Sequence, residues 1–189
     1  MIRASRARHL TGNRAVPRTI MTANKRITLL ALFIAMAVAL HWMETFIPRP
    51  APFLRFGFAN IFTLTAIYLF GGAWGMVVVI SRVVLGSLFA GSLFTPAFFF
   101  SLSGGIAAGT VMWVMPKQLF SPIGVSVSGA MAHMAAQLVL AALLIGQFVI
   151  IRAVPLFLVA SIITGVINGF SVRVMLGVAA KSDLEVSLR

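Results

Sequence analysis

The chain has no cysteine, a single tyrosine and only three acidic residues in 189. Without cysteine there can be no disulfide, no Cys-ligated zinc and no thiol nucleophile. The acids are Glu44, Asp183 and Glu185, and the last two fall close to the C-terminus. Magnesium sites that handle phosphates need carboxylates converging with the substrate, so so few acids argue against an autonomous phosphoryl or prenyl transferase. A GxxxxGK[ST] phosphate loop is also missing, so this chain does not power transport by itself. Charged residues are scarce altogether, at 10% against about 25% in soluble domains.

What is abundant is apolar surface. Sixty per cent of the chain, about 113 residues, is hydrophobic, and the mean hydropathy is +1.05. Six membrane helices of ~20 residues would need roughly that many. A chain this small cannot hide so much apolar surface in an aqueous fold, which excludes a soluble globular enzyme. High hydrophobicity also excludes disorder of the whole chain. The composition predicts an all-α, polytopic membrane protein.

Apolar runs bounded by proline, glycine and charge predict six spans, at about 27–47, 58–71, 73–93, 95–115, 122–147 and 153–177. The second is short and only Gly71-Gly72 separates it from the third, so the two read as a tight hairpin or as a broken, re-entrant element. Residues 1–26 read as a basic, disordered cytoplasmic tail, 27–177 as the membrane domain and 178–189 as a second cytoplasmic tail. Lys and Arg number fifteen, for a formal net charge of +12. With the N-terminus inside, eleven of these bases fall on the inner face, Arg49, Arg55 and Arg152 on the outer, and Arg82 within a span. The positive-inside rule therefore predicts both termini on the cytoplasmic side of a bacterial inner membrane. Bases spread over span edges in this way serve topology rather than nucleic acid, and no nucleic-acid partner is expected.

Polar groups at membrane depth are costly and are candidates for function. Glu44 lies near the end of the first span and is followed by a proline-rich connection, Pro48-Arg49-Pro50-Ala51-Pro52, then Arg55, Gly57 and Asn60. Arg82 sits well inside the third span and must face the bundle or a wet cavity. Arg49, Arg55 and Arg82 against the lone Glu44 leave a surplus that an anionic ligand could balance; a structural pairing of Glu44 with Arg49, Arg55 or Arg82 is the alternative. The fifth span places Ser126, Gly129, Ala130, His133 and Gln137 on one helical face, and the sixth repeats the pattern with Ser161, Thr164, Gly165 and Asn168. Such faces serve close helix packing as readily as ligand contact. His133 stands without other ligands at metal spacing, His9 and His41 being the only other histidines, so no metal and no cofactor are expected. Ala31, Ala35 and Ala39 form a smooth stripe on the first span. The small-residue pairs Gly71/Gly75, Ser101/Gly105, Gly105/Gly109 and Gly165/Gly169 are of the kind that packs helices within one chain.

These residues carry a family resemblance. The segments are Glu44-x-x-Ile47-Pro48-x-Pro50-x-Pro52, Arg55-x-Gly57-x-Ala59-Asn60, Phe70-Gly71, Arg82-x-x-x-Gly86 and Ser101-Leu102-Ser103-Gly104-Gly105, followed by Phe120-Ser121-x-x-Gly124-x-Ser126 and Gly129-Ala130-x-x-His133-x-x-x-Gln137. Their order over Ile27 to about Gly177 resembles the Gx transporter family, also named heptaprenyl diphosphate synthase component I. Where that family often has Asn after the histidine, this chain has Met134. The family is similar in turn to the substrate-binding S components of energy-coupling factor transporters. The resemblance implies a six-helix bundle whose outward-facing ligand site is capped by the first loop and lined by later helices. Glu44, Arg49, Arg55, Asn60, Arg82, His133, Gln137 and Asn168 would then be substrate-binding, and Ala31, Ala35 and Ala39 would dock a transmembrane coupling subunit.

Two functions follow as expectations. The first is uptake of a small anionic or amphipathic molecule, such as a vitamin or cofactor precursor, with a coupling subunit and an ATPase pair as partners. The alternative is a membrane accessory subunit of heptaprenyl or polyprenyl diphosphate synthesis, non-catalytic by itself, with a soluble prenyl synthase subunit as partner.

Overall fold

The computed structural model describes residues 23–47, 55–146, 152 and 154–181. The expected tails up to residue 22 and from 182 onward, and Arg49 with its prolines, lie outside the described residues. Among those described, the chain is helical without strands. It forms α1 (Ala23–Met43) with a 3-10 turn (Glu44–Phe46), α2 (Asn60–Phe70), α3 (Gly72–Phe89), α4 (Pro96–Val114), α5 (Pro122–Ile145) and α6 (Val154–Lys181). The boundaries follow local chemistry. Pro96 and Pro122 occupy the first helical positions of α4 and α5, where a missing N–H costs nothing. Ser121 caps α5 by accepting from Gly124 N at 3.2 Å, and Gly146 closes that helix in the left-handed region.

The six expected spans are present as six helices, but the second is reduced. Helix α2 has 11 residues, about 16 Å at 1.5 Å per residue, against a hydrocarbon core of about 30 Å. Five helices are long and apolar enough to cross a membrane. The remainder of the expected span 58–71 is the non-helical segment 55–59. Gly71, at φ 96°, then reverses the chain into α3, so the hairpin reading of the second and third spans is the observed one.

Helix α2 is the central post of the bundle. Eight of its 11 residues are buried, and it meets α1, α3, α4, α5 and α6. The other helices stand round it in the order α1, α3, α4, α5, α6. Glycines set the close crossings. A Cβ on Gly165 or Gly169 would run into the α5 backbone at Val127 and Ile123, and one on Gly105 or Gly109 would press on Val79 of α3. The packing reading of those small pairs therefore describes what they do. The crescent is not closed: no Cα of α1 comes within 8 Å of one in α6. Ala179, near the end of α6, shares a core cluster with Leu30 and Phe33 near the start of α1, and Arg26 Nη2 donates to Phe70 O at 3.3 Å. The start of α1, the end of α2 and the end of α6 thus share one face, called here the chain-end face.

Candidate functional site

Above α2, away from the chain-end face, the axis of the bundle is filled by the segment 55–59 instead of a helix. Irregular backbone at membrane depth has no water to bond and must find partners in the protein. Most partners here are polar side chains from the surrounding helices, with the first backbone N–H groups of α2 adding to them. Arg55 N donates to Gln137 Oε1 of α5 at 3.1 Å. Gly57 O accepts from Asn168 Nδ2 of α6 at 3.1 Å and from Asn60 N at 3.0 Å. Phe58 N donates to the Glu44 carboxylate at the end of α1, with the Ala59 N–H adding to it. Gly57 itself has φ +76°, a backbone conformation that L side chains resist, and a Cβ there would stand 2.9 Å from Asn60 Nδ2.

The side chains form a second layer. Arg82 Nη2 donates to Asn60 Oδ1 at 2.6 Å, and Arg55 Nη1 donates to His41 Nε2 at 2.5 Å. A guanidinium has no acceptor, so His41 Nε2 must accept, which leaves that imidazole neutral with its hydrogen on Nδ1. The same logic orients the next pair. Gln137 Oε1 is committed to Arg55 N, so its amide Nε2 faces His133 Nε2 at 3.0 Å. His133 then accepts at Nε2 and carries its hydrogen on Nδ1, on the side of Gly104. Gly104 and Gly105 make room for this arrangement: a Cβ on Gly104 would meet the His133 ring at 2.8 Å, and one on Gly105 would stand 3.4 Å from Arg82 Nη2.

Of the residues predicted from sequence, Glu44, Arg55, Asn60, Arg82, His133, Gln137 and Asn168 all converge here. They are buried, Arg82 to 1% exposure and Gln137 to 0%. Arg49 lies outside the described residues. The proposed pairing of Arg82 with Glu44 takes an indirect form: Arg82 bonds Asn60, and its charge acts on Glu44 through space, as does that of Arg55. Arg152 is exposed, unlike the buried residues of the cluster. Ser126, Gly129 and Ala130 pack the α4–α5–α6 contacts; a Cβ on Gly129, for example, would meet Met112. Ala31, Ala35 and Ala39 all face outward from α1, exposed along its length.

One member was not predicted. His41 is 1% exposed, holds the Arg55 guanidinium and packs its ring against Gly86 of α3. Considered only as a metal ligand it had no companions. Its position three residues before Glu44, on the same face, is the signal that could have found it.

The cluster sits deep in the bundle. Arg82 is ten residues beyond Gly72, about 15 Å along α3, and Asn168 is thirteen residues before Lys181, about 20 Å from the chain-end face. Among the described residues it contains two guanidinium groups, which stay charged in proteins, against one carboxylate. Arg82 Nε and Asn168 Oδ1 have no hydrogen-bond partner among the described residues. Chemically this is an enclosed, arginine-rich polar site walled by apolar helices.

A polytopic helical membrane protein with such a site matches one family model, described as heptaprenyl diphosphate synthase component I, over residues 33–175. The chain belongs to that family. No curated protein and no solved structure matches it significantly. The family description fits the accessory-subunit alternative more closely than uptake.

Proposed function

We propose that this chain is a non-catalytic membrane subunit of polyprenyl diphosphate synthesis, which receives an anionic, diphosphate-bearing molecule at the Arg55–Arg82 cluster. The observation that carries this is the surplus of fixed positive charge among the described residues of a buried site. Arg55 and Arg82 are buried beside a single carboxylate, and a buried charge is tolerated only when it is compensated. A bound phosphate or diphosphate supplies that compensation, and arginine is the side chain best shaped to hold it. Catalysis falls to a soluble partner subunit with its own carboxylates. The excess of bases on the chain-end connections supports an orientation with both termini on the cytoplasmic side of a bacterial inner membrane, where such a partner would meet it.

One observation favours the second reading, an uptake subunit. Ala31, Ala35 and Ala39 form an exposed smooth stripe on α1, and small residues let another membrane helix approach closely. Purification in mild detergent, with mass spectrometry of co-purifying proteins and small molecules, separates the two. A prenyl diphosphate or a soluble synthase chain supports the accessory role. A water-soluble vitamin together with an ATPase pair overturns it in favour of uptake.

A further inference from the structure

The segment that completes the polar cluster also stands in the only break of the helix ring among the described residues. Helices α1 and α6 do not approach each other. At the chain-end face the gap is closed by the cluster of Leu30, Phe33 and Ala179 over α2. At the level of the cluster, what connects α1 to α6 among the described residues is the segment itself. His41 and Glu44 of α1 hold Arg55 and Phe58, and Asn168 of α6 holds Gly57. Burial alternates along the segment. Arg55 and Gly57 are buried, while Phe56 and Phe58 are only half-buried, their rings paired at 5.9 Å.

From this we infer that the α1–α6 gap is a lateral port, and that the ligand is a membrane-dissolved amphipath with a phosphate or diphosphate head and an apolar chain. The inference rests on the reading of the cluster as an anion site and adds the pose. The head group lies between Arg55 and Arg82, and the chain leaves between α1 and α6 past Phe56 and Phe58. Three lines of geometry support it. Both flanking helices are membrane-crossing, so a gap between them opens on lipid rather than water. The cluster includes His41 and Asn168, which belong to the two flanking helices themselves, so it borders the gap, within reach of a head group whose tail stays in the bilayer. The elements on the far side, α3, α4 and α5, are sealed by glycine-mediated contacts and offer no comparable exit. Besides two backbone bonds to the first residues of α2, side chains of α1, α5, α6 and Glu44 hold the segment 55–58, so a shift of the segment need disturb no more than the start of one helix.

The test uses the full wild-type chain in phosphatidylcholine nanodiscs and a prenyl diphosphate probe with a benzophenone at the tail end. After irradiation, the labelled residues are mapped by mass spectrometry. The expected result is labelling of α1, α6 and Phe56 or Phe58, suppressed by excess geranylgeranyl diphosphate and reduced about tenfold or more in Arg82→Gln. Labelling confined to α3, α4 or α5, with the same competition, overturns the port while leaving the anion site standing. If no label is competed by any phosphate compound, the anion site itself fails. A further arm identifies the source of the head group. Suppression by phosphatidylglycerol in the bilayer, but not by geranylgeranyl diphosphate, keeps the port and makes its occupant a phospholipid. Suppression by inorganic diphosphate alone, with no tail labelling, makes the ligand water-soluble and overturns the proposal.

Discussion

The two halves of the bundle axis solve the same problem in opposite ways. Toward the chain-end face the axis is α2, a helix that satisfies its own backbone and so can pack Leu64 and Ile67 against Ala108, Met112, Val125 and Val172 of its neighbours. Toward the other face the axis is the segment 55–59, whose backbone has no ladder and is bonded instead by Glu44, Gln137 and Asn168. Where the backbone is self-sufficient, the environment is apolar; where it is not, polar side chains must come in from the neighbouring helices. The polar half is therefore built at a cost in desolvation that the apolar half avoids. A half that is more expensive to build, and that carries surplus positive charge, is where function belongs.

Substitutions in the two halves should separate stability from binding. The largest loss is expected for Glu44→Ala, which removes the carboxylate facing two buried arginines and the acceptor for Phe58. Stranding buried charges costs about 3–5 kcal/mol, read as a large fall in thermal midpoint in detergent, whereas Glu44→Gln retains an acceptor and loses less. Leu64→Ala in the apolar half should cost about 2–4 kcal/mol by leaving a cavity, with ligand affinity unchanged in whatever protein remains folded. An affinity loss as large as that of a site variant would erase the distinction between the halves. Gly57→Ala should cost about 1–2 kcal/mol, since a Cβ resists positive φ, and should weaken ligand retention by distorting the segment. Arg82→Gln keeps a donor for Asn60, so its effect on stability is the smaller one. The loss of a charge-assisted bond should weaken binding of a prenyl diphosphate about 10- to 100-fold, measured by native mass spectrometry or radioligand filtration. The smallest effect on the isolated chain belongs to Ala35→Leu on the exposed stripe, within about 0.5 kcal/mol. Loss of a co-purifying membrane partner in that variant would bring the uptake reading forward.

Much of the site was legible residue by residue. Glu44, Arg82, His133, Gln137 and Asn168 stand out because a polar group within an apolar run is expensive wherever it goes. Arg55 and Asn60 stand out as polar residues flanking a glycine. What could not be read was their common target. The predicted second span began at residue 58, and nothing in the periodicity says that 55–59 enters the bundle without forming a helix. For His41 the spacing to Glu44 offered a face but not a partner. Its role depends on where Arg55 goes, and that is set by the segment 55–59 rather than by helical spacing.

The sequence by itself determined the class of the protein, the number and order of its helices, and the list of polar groups that must be hidden from lipid. Hydrophobicity and a 3.6-residue period are local properties, readable along the chain. Only the tertiary structure decided that α2 is the central post, that seven of those polar residues converge around the segment 55–59, and that α1 and α6 stay apart around it. Those outcomes depend on which helix faces can approach, and that is set by glycines such as Gly105, Gly165 and Gly169 meeting partners far away in sequence. They depend equally on the demand of five non-helical residues for hydrogen bonds that only distant side chains could supply.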